Sequence, residues 1–119
     1  MKNNDILNCI NNSFKQHTGC YLPAPTKQSN PLQWLDQHAP YSLLAHNTEA
    51  DPKFIYANLQ ALDSFGYSYD EILNLNSKFS ASEVDRAERL LLLKSVQENG
   101  IAMNYTGPRV KKDGRFFTI

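Results

Sequence analysis

The most constraining feature of this 119-residue chain is a run of helix-start and helix-stop signals between Asn58 and Gly100, with short strand patterns on either side. Asn58 is placed to cap a short helix through Leu59, Leu62 and Phe65, and Gly66 can end it. Ser68 and Glu71 have the spacing of a capping box, opening a second short helix with Ile72, Leu73 and Leu75 on its buried side. Ser80 and Glu83 repeat that spacing ahead of the longest helix, about 82–99, which Gly100 terminates. Upstream, Tyr41–His46 and Phe54–Ala57 read as a hairpin joined by the polar turn Asn47–Lys53. Downstream, Ile101–Thr106 alternates, with Ile101, Met103 and Tyr105 on one face. Pro108 lacks a backbone donor and places this strand at a sheet edge. Lys112-Asp113-Gly114 signals a tight turn, with Phe116–Ile119 returning. Two strands, three helices and two strands predict an α+β domain: an antiparallel sheet with helices on one face.

The first forty residues are different. Residues 4–18 predict an amphipathic helix, since Ile6, Leu7, Ile10 and Phe14 recur at helical spacing, Asn4 or Asp5 can cap it and Gly19 can end it. Residues 21–40 hold Pro23, Pro25, Pro31 and Pro40, so they read as a connector with at most a short helix at Leu32–Gln37. The chain therefore divides into 1–40, an N-terminal helix and proline-rich connector, and 41–119, the core domain.

Composition narrows the function classes. The chain is 41% hydrophobic, too apolar for a disordered tail. Twelve basic residues balance twelve acidic ones, so there is no bulk field to draw it onto nucleic acid or an anionic membrane. The longest apolar runs, Phe54–Ala57 and Leu90–Leu93, fall far short of a membrane span. No apolar segment follows Met1–Asp5 as in a secretory signal, and a cytoplasmic location is expected. Cys9 and Cys20 then read as reduced thiols; with His17 and His38 they match no common structural zinc spacing, and a zinc site is rejected.

The segments Phe54-Ile55-Tyr56-Ala57-Asn58, Phe65-Gly66-Tyr67-Ser68-Tyr69-Asp70-Glu71-Ile72-Leu73 and Lys111-Lys112-Asp113-Gly114-Arg115-Phe116 together resemble the PAS-domain pattern. More narrowly, the chain is similar to the MEKHLA family, a PAS-like group. The matching pieces are Thr18-Gly19, His46–Pro52, Ser77–Ala81, Glu88-Arg89, Gly100, Tyr105-Thr106-Gly107 and Gly114–Phe117. The resemblance implies a five-stranded antiparallel sheet with helices over one face and a small pocket between them. It places the fifth strand centrally, between the first and fourth. Ile119 falls where the fourth strand should still be running, so the final central strand is expected to be missing: either the core is C-terminally truncated or that strand comes from elsewhere. An unfilled gap there would leave backbone donors and acceptors open.

Asn76-Ser77-Lys78-Phe79 resembles the stretch that holds the adduct-forming cysteine of flavin-binding light sensors, but Ser77 stands at the thiol position. A serine hydroxyl is far less acidic and less nucleophilic, so flavin adduct chemistry is not expected. Haem is not expected either, because the long helix has no His to serve as axial ligand. His46, Glu49 and Asp51 are neighbours without a placed nucleophile, and no enzyme is expected. Arg86 and Arg89 interleave with Asp85 and Glu88 and read as a solvated face.

Two functions remain. The first is a non-enzymatic PAS-like sensory domain binding a small apolar ligand, with Leu44, Tyr56, Phe65, Leu75, Ser77, Phe79, Leu91, Tyr105 and Phe117 expected to line the pocket. The second is a dimerisation module without a ligand. On the long helix Val84, Ala87, Leu90 and Leu91 share one side, leaving Leu92, Leu93 and Val96 to meet the N-terminal helix or a second subunit.

Overall fold

The computed structural model describes residues 3–27, 29–81, 86–99 and 107–118. The first helix, α1 (Asn3–Thr18), ends where Gly19 takes a positive φ of 86° and its N–H bonds Lys15 O at 2.8 Å. Asn11 Oδ1 accepts from the Leu22 N–H at 2.8 Å and folds the connector back along α1. The short helix of the connector, α2 (Pro31–Gln37), carries proline in its first turn and is capped by Asn30, whose side chain accepts from Gln33 N.

Strands β1 (Leu44–His46) and β2 (Phe54–Ala57) pair antiparallel, with Leu44 opposite Ala57, Ala45 opposite Tyr56 and His46 opposite Phe54. Ile55 is the extra residue, a bulge, and it resets the side-chain alternation along β2. Tyr56 therefore lies on one face and Phe54 on the other, although they are two positions apart. The first strand is shorter than Tyr41–His46 because Asn58 replaces the ladder at its start. Fully buried, Asn58 donates from Nδ2 to Leu35 O (2.9 Å) and Tyr41 O (3.0 Å). Its Oδ1 accepts from Leu43 N (2.9 Å) and Ala61 N (3.0 Å). One amide thus caps a helix, closes the strand and ties in α2, with its donors and acceptor satisfied.

Two clusters form on the two faces of this ribbon. On the Tyr56 face, Ile6 and Leu7 of α1 pack with Leu35 of α2 and Leu43. On the other, Phe54 and Ala57 pack with Ala61 of α3 (Leu59–Phe65) and Ile72 of α4 (Tyr69–Ile72). Gly66 ends α3 with φ 78°, and Ser68 with Glu71 completes the reciprocal capping box of α4. A 3-10 helix (Ser77–Ser80) leads toward α5 (Arg86–Asn99), and Arg86 Nε bonds back to Lys78 O and Ala81 O at 3.2 Å each.

The final hairpin pairs β3 (Pro108–Val110) with β4 (Phe116–Thr118), with proline at the first strand position. It docks on α3: Lys112 N donates to Phe65 O at 2.9 Å, and the Phe65 and Phe117 rings meet edge-on with centroids 4.8 Å apart. Among the described residues, the strands form two separate two-stranded pairs. The expected strand Ile101–Thr106, residues 82–85 and Ile119 lie outside the described residues.

Three expectations for the long helix are corrected. Leu90 and Leu91 were assigned to the covered stripe, but they are 62% and 70% exposed. The inward stripe is Arg89, Leu92, Leu93 and Val96, a spacing of three, four and seven residues that recurs on one helix face. Arg89, expected on a solvated face, is only 6% exposed. The N-terminal helix, expected to cover the second half of the long helix, instead packs on α2 and Tyr56.

Candidate ligand-binding cavity

On the Phe54 face of the ribbon, beneath α5, lies a partly open cavity of about 280 Å³. Leu44 reaches it by the ordinary alternation of β1, and Phe54 through the bulge in β2; Phe65 comes from α3, and Leu92 and Leu93 from α5. These five form the apolar wall. The polar wall is made of Ser42, His46, Ser77, Ser80, Arg89 and Arg109.

That polar wall is built, not incidental. Ser77 is buried, its N–H held by Pro52 O at 2.7 Å, and its carbonyl accepts from the Ser80 hydroxyl at 2.7 Å. The Ser77 hydroxyl then accepts a hydrogen bond from Arg89 Nη2. Arg109 is 7% exposed and donates from Nη1 to Pro108 O at 2.8 Å. Burial, and after it the charge of Arg109, push the Arg89 guanidinium below its ordinary range, while the Asp51 charge acts in the opposite sense.

Three of the nine residues expected at a pocket, Leu44, Phe65 and Ser77, line this space; Phe117 does not line it but meets the Phe65 ring edge-on. Others are placed elsewhere. Tyr56 is turned by the Ile55 bulge into the α1–α2 cluster, where its hydroxyl donates to Asp36 Oδ1 at 2.5 Å. Leu75 packs behind Phe54 in the cluster with Ile72. Phe79 is exposed, its ring lying under the Lys78 and Arg86 cations at 5.4 and 5.2 Å. Leu91 points to solvent, and Tyr105 lies outside the described residues. Sequence reasoning missed Arg89, Arg109, Phe54, Leu92 and Leu93 as wall residues. The signal available for three of these was the shared helical face of Arg89, Leu92 and Leu93.

His46, Glu49 and Asp51 do not converge. His46 lines the cavity, whereas Glu49 and Asp51 line a separate open groove beside α5, where Asp51 pairs with Lys78 at 3.2 Å. Cys9 and Cys20 are exposed, on and just after α1, away from the cavity wall. Among the described residues, no three His, Cys, Asp or Glu side chains form a group able to hold a metal, and no helix is long and apolar enough to cross a membrane.

The fold is that of the PAS/LOV class. A cysteine-to-serine mutant of Vivid superposes with a TM-score of 0.55 at 17% identity, covering 92% of this chain and 81% of that one. A cysteine-to-valine variant of the fungal photoreceptor Vivid gives 0.52 at 19% identity over 82% and 70% of the two chains. A light-oxygen-voltage domain studied with a flavin analogue gives 0.53 at 21% identity, covering 65% of this chain. The chain spans 57% of the length of that domain's own chain. No curated protein matches it in sequence. The MEKHLA domain family model matches residues 4–119, and the protein belongs to that family. Flavin adduct chemistry does not fit Ser77, which the sequence resemblance sets where flavin sensors carry their thiol: it is a serine, and its hydroxyl accepts from Arg89.

Proposed function

We propose that this MEKHLA domain is a non-enzymatic, cytoplasmic sensory module whose signal is a small ligand seated between the β1–β2 ribbon and α5. The observation that carries this reading is the cavity of about 280 Å³, with an apolar wall of Leu44, Phe54, Phe65, Leu92 and Leu93 and a polar wall opposite. Such a division, mostly apolar with a few convergent polar groups, is how small-molecule sites fix both affinity and orientation. The volume sits just below the roughly 300–1,000 Å³ of drug-sized sites, so the ligand is small. A fragment screen by amide NMR tests it. Binders should shift resonances around Leu44, Phe65 and Leu92, and the cavity-filling Leu93→Trp should abolish those shifts. A screen with no cavity-directed binder overturns the reading.

A second reading is dimerisation, favoured by Leu90 and Leu91, which stand side by side on α5 with most of their surface in water. This moves the expected contact from Leu92, Leu93 and Val96 to the adjacent face. Sedimentation velocity decides it: a dimer that Leu91→Lys dissociates supports this reading, and a monomer at about tens of micromolar rejects it.

A further inference from the structure

Between α1, the connector and α2 lies a groove of about 470 Å³ that shares none of its described lining residues with the cavity beneath α5. Its volume falls inside the roughly 300–1,000 Å³ of small-molecule sites. The groove is preformed. Asn11 Oδ1 holds the Leu22 N–H at 2.8 Å, and the Tyr41 hydroxyl donates to Pro23 O at 2.5 Å, so the connector is pinned at two successive residues. Pro23, Pro25 and Pro31 each fix a φ angle along this stretch, which removes freedom that binding would otherwise have to take away.

The lining divides by chemistry. Leu22, Leu32 and the buried Leu35 make its apolar part. Asn8, Asn11 and Asn12 make its polar part; spaced by three and four positions, they share one face of α1. None of the described lining residues carries a charge. Asn11 is held in place: the Leu22 bond uses its Oδ1, and among the described residues no group accepts from its Nδ2. Its two N–H groups are therefore donors for a groove occupant. The connector has the reverse bias. Pro23 and Pro25 have no N–H and that of Leu22 is taken, so this backbone holds more acceptors than donors.

We infer that this groove is a second binding site, for a small neutral secondary amide. Asn11 Nδ2 donates to the ligand carbonyl, the ligand N–H meets the acceptors of the connector and of Asn8 or Asn12, and the apolar body lies on Leu22, Leu32 and Leu35. An amide leaving water must have both its donor and its acceptor met, and this lining supplies both. An ion would lose hydration with no opposite charge on the lining to replace it. The site is independent of the cavity beneath α5, and its failure leaves that reading untouched.

The experiment titrates the whole chain with ε-caprolactam, following amide NMR shifts. Cycloheptanone, a ring of the same size that keeps the carbonyl and lacks the N–H, is the second arm, and hexanoate the third. Caprolactam is expected to shift Leu22, Ala24 and Leu32 and to bind about fivefold more tightly than either control. Asn11→Asp keeps an acceptor for the Leu22 N–H and removes the two donors. It should weaken caprolactam about fivefold while the Leu22 amide keeps its protection from exchange. Equal binding of lactam and ketone, or of lactam and hexanoate, overturns the amide assignment. Caprolactam shifts confined to Leu44, Phe65 and Leu92, or no shifts at all, overturn the site. Should Asn11→Asp not fold, the lactam-to-ketone ratio on the unmodified protein decides alone.

Discussion

Phe54 and Tyr56 occupy the same strand two positions apart, yet Phe54 faces the cavity and Tyr56 faces α1 and α2. The Ile55 bulge makes that possible, and it decides which aromatic ring serves the site and which anchors the N-terminal helices. Tyr56→Phe therefore tests the anchor without touching the cavity. It removes the hydroxyl bond to Asp36 and should cost about 1–2 kcal/mol in urea unfolding at neutral pH, with fragment binding unchanged.

The same tyrosine gives an alkaline signature. Burial first, then its hydrogen bond to Asp36 and the Asp36 charge, raise the Tyr56 pKa far above the ordinary tyrosine value of 10.0. The folded state thus holds this proton more tightly than the unfolded chain does. Its contribution is complete below about pH 10 and is lost as pH rises above that, because only the unfolded form ionises there. Melting temperature should fall more steeply above this pH for the native sequence than for Tyr56→Phe. Parallel curves would reject the assignment.

Asn58 ties three elements with one side chain, so its replacement should be disproportionate. Asn58→Ala leaves the Leu35 and Tyr41 carbonyls without their donor and uncaps α3, at roughly 3 kcal/mol by chemical denaturation. Asn58→Asp keeps the cap but not the two donated bonds and should recover only part of that loss. Full recovery by aspartate would show that capping alone matters.

Glu71 carries the acid limb of stability. Its hydrogen bond from Lys112, followed by those from Ser68, holds its pKa down at about 2. Its contribution is present above the ordinary carboxylate range and is lost as pH falls toward 2, the sign expected for a lowered acid. Glu71→Gln should flatten the melting-temperature profile between about pH 5 and 2. It should also loosen the final hairpin, seen as faster amide exchange at Lys112, whose N–H is bonded to Phe65 O.

The two faces of α5 should respond oppositely to charge. Leu91→Lys falls on exposed surface and should change monomer stability by less than about 0.5 kcal/mol. Leu92→Lys places a cation on the apolar wall, beside Arg89, and should cost at least about 2 kcal/mol. Equal effects would mean that the inward face has been misassigned.

Local chemistry was legible from residues alone. The Asn58 cap, the Ser68–Glu71 capping box, the Gly66 stop and the Phe54–Ala57 strand each depend on side chains within a few positions of one another. So were the element order and the family resemblance, which rest on the same punctuation. The site was legible only in part, and the reasons lie in particular residues. Tyr56, expected in the pocket, is carried to the other face by the bulge at Ile55, which exists only once β1 pairs with β2. Arg89 was read as solvated because charged neighbours surround it in sequence. Its burial depends on Ser77, twelve positions away, and on the hairpin that brings Arg109 alongside. Short-range hydrogen bonding and backbone geometry are written in neighbouring residues; which face becomes interior is settled by partners distant in the chain. The sequence alone determined the elements and their order, and the tertiary structure decided that two buried arginines would share a wall with leucine and phenylalanine.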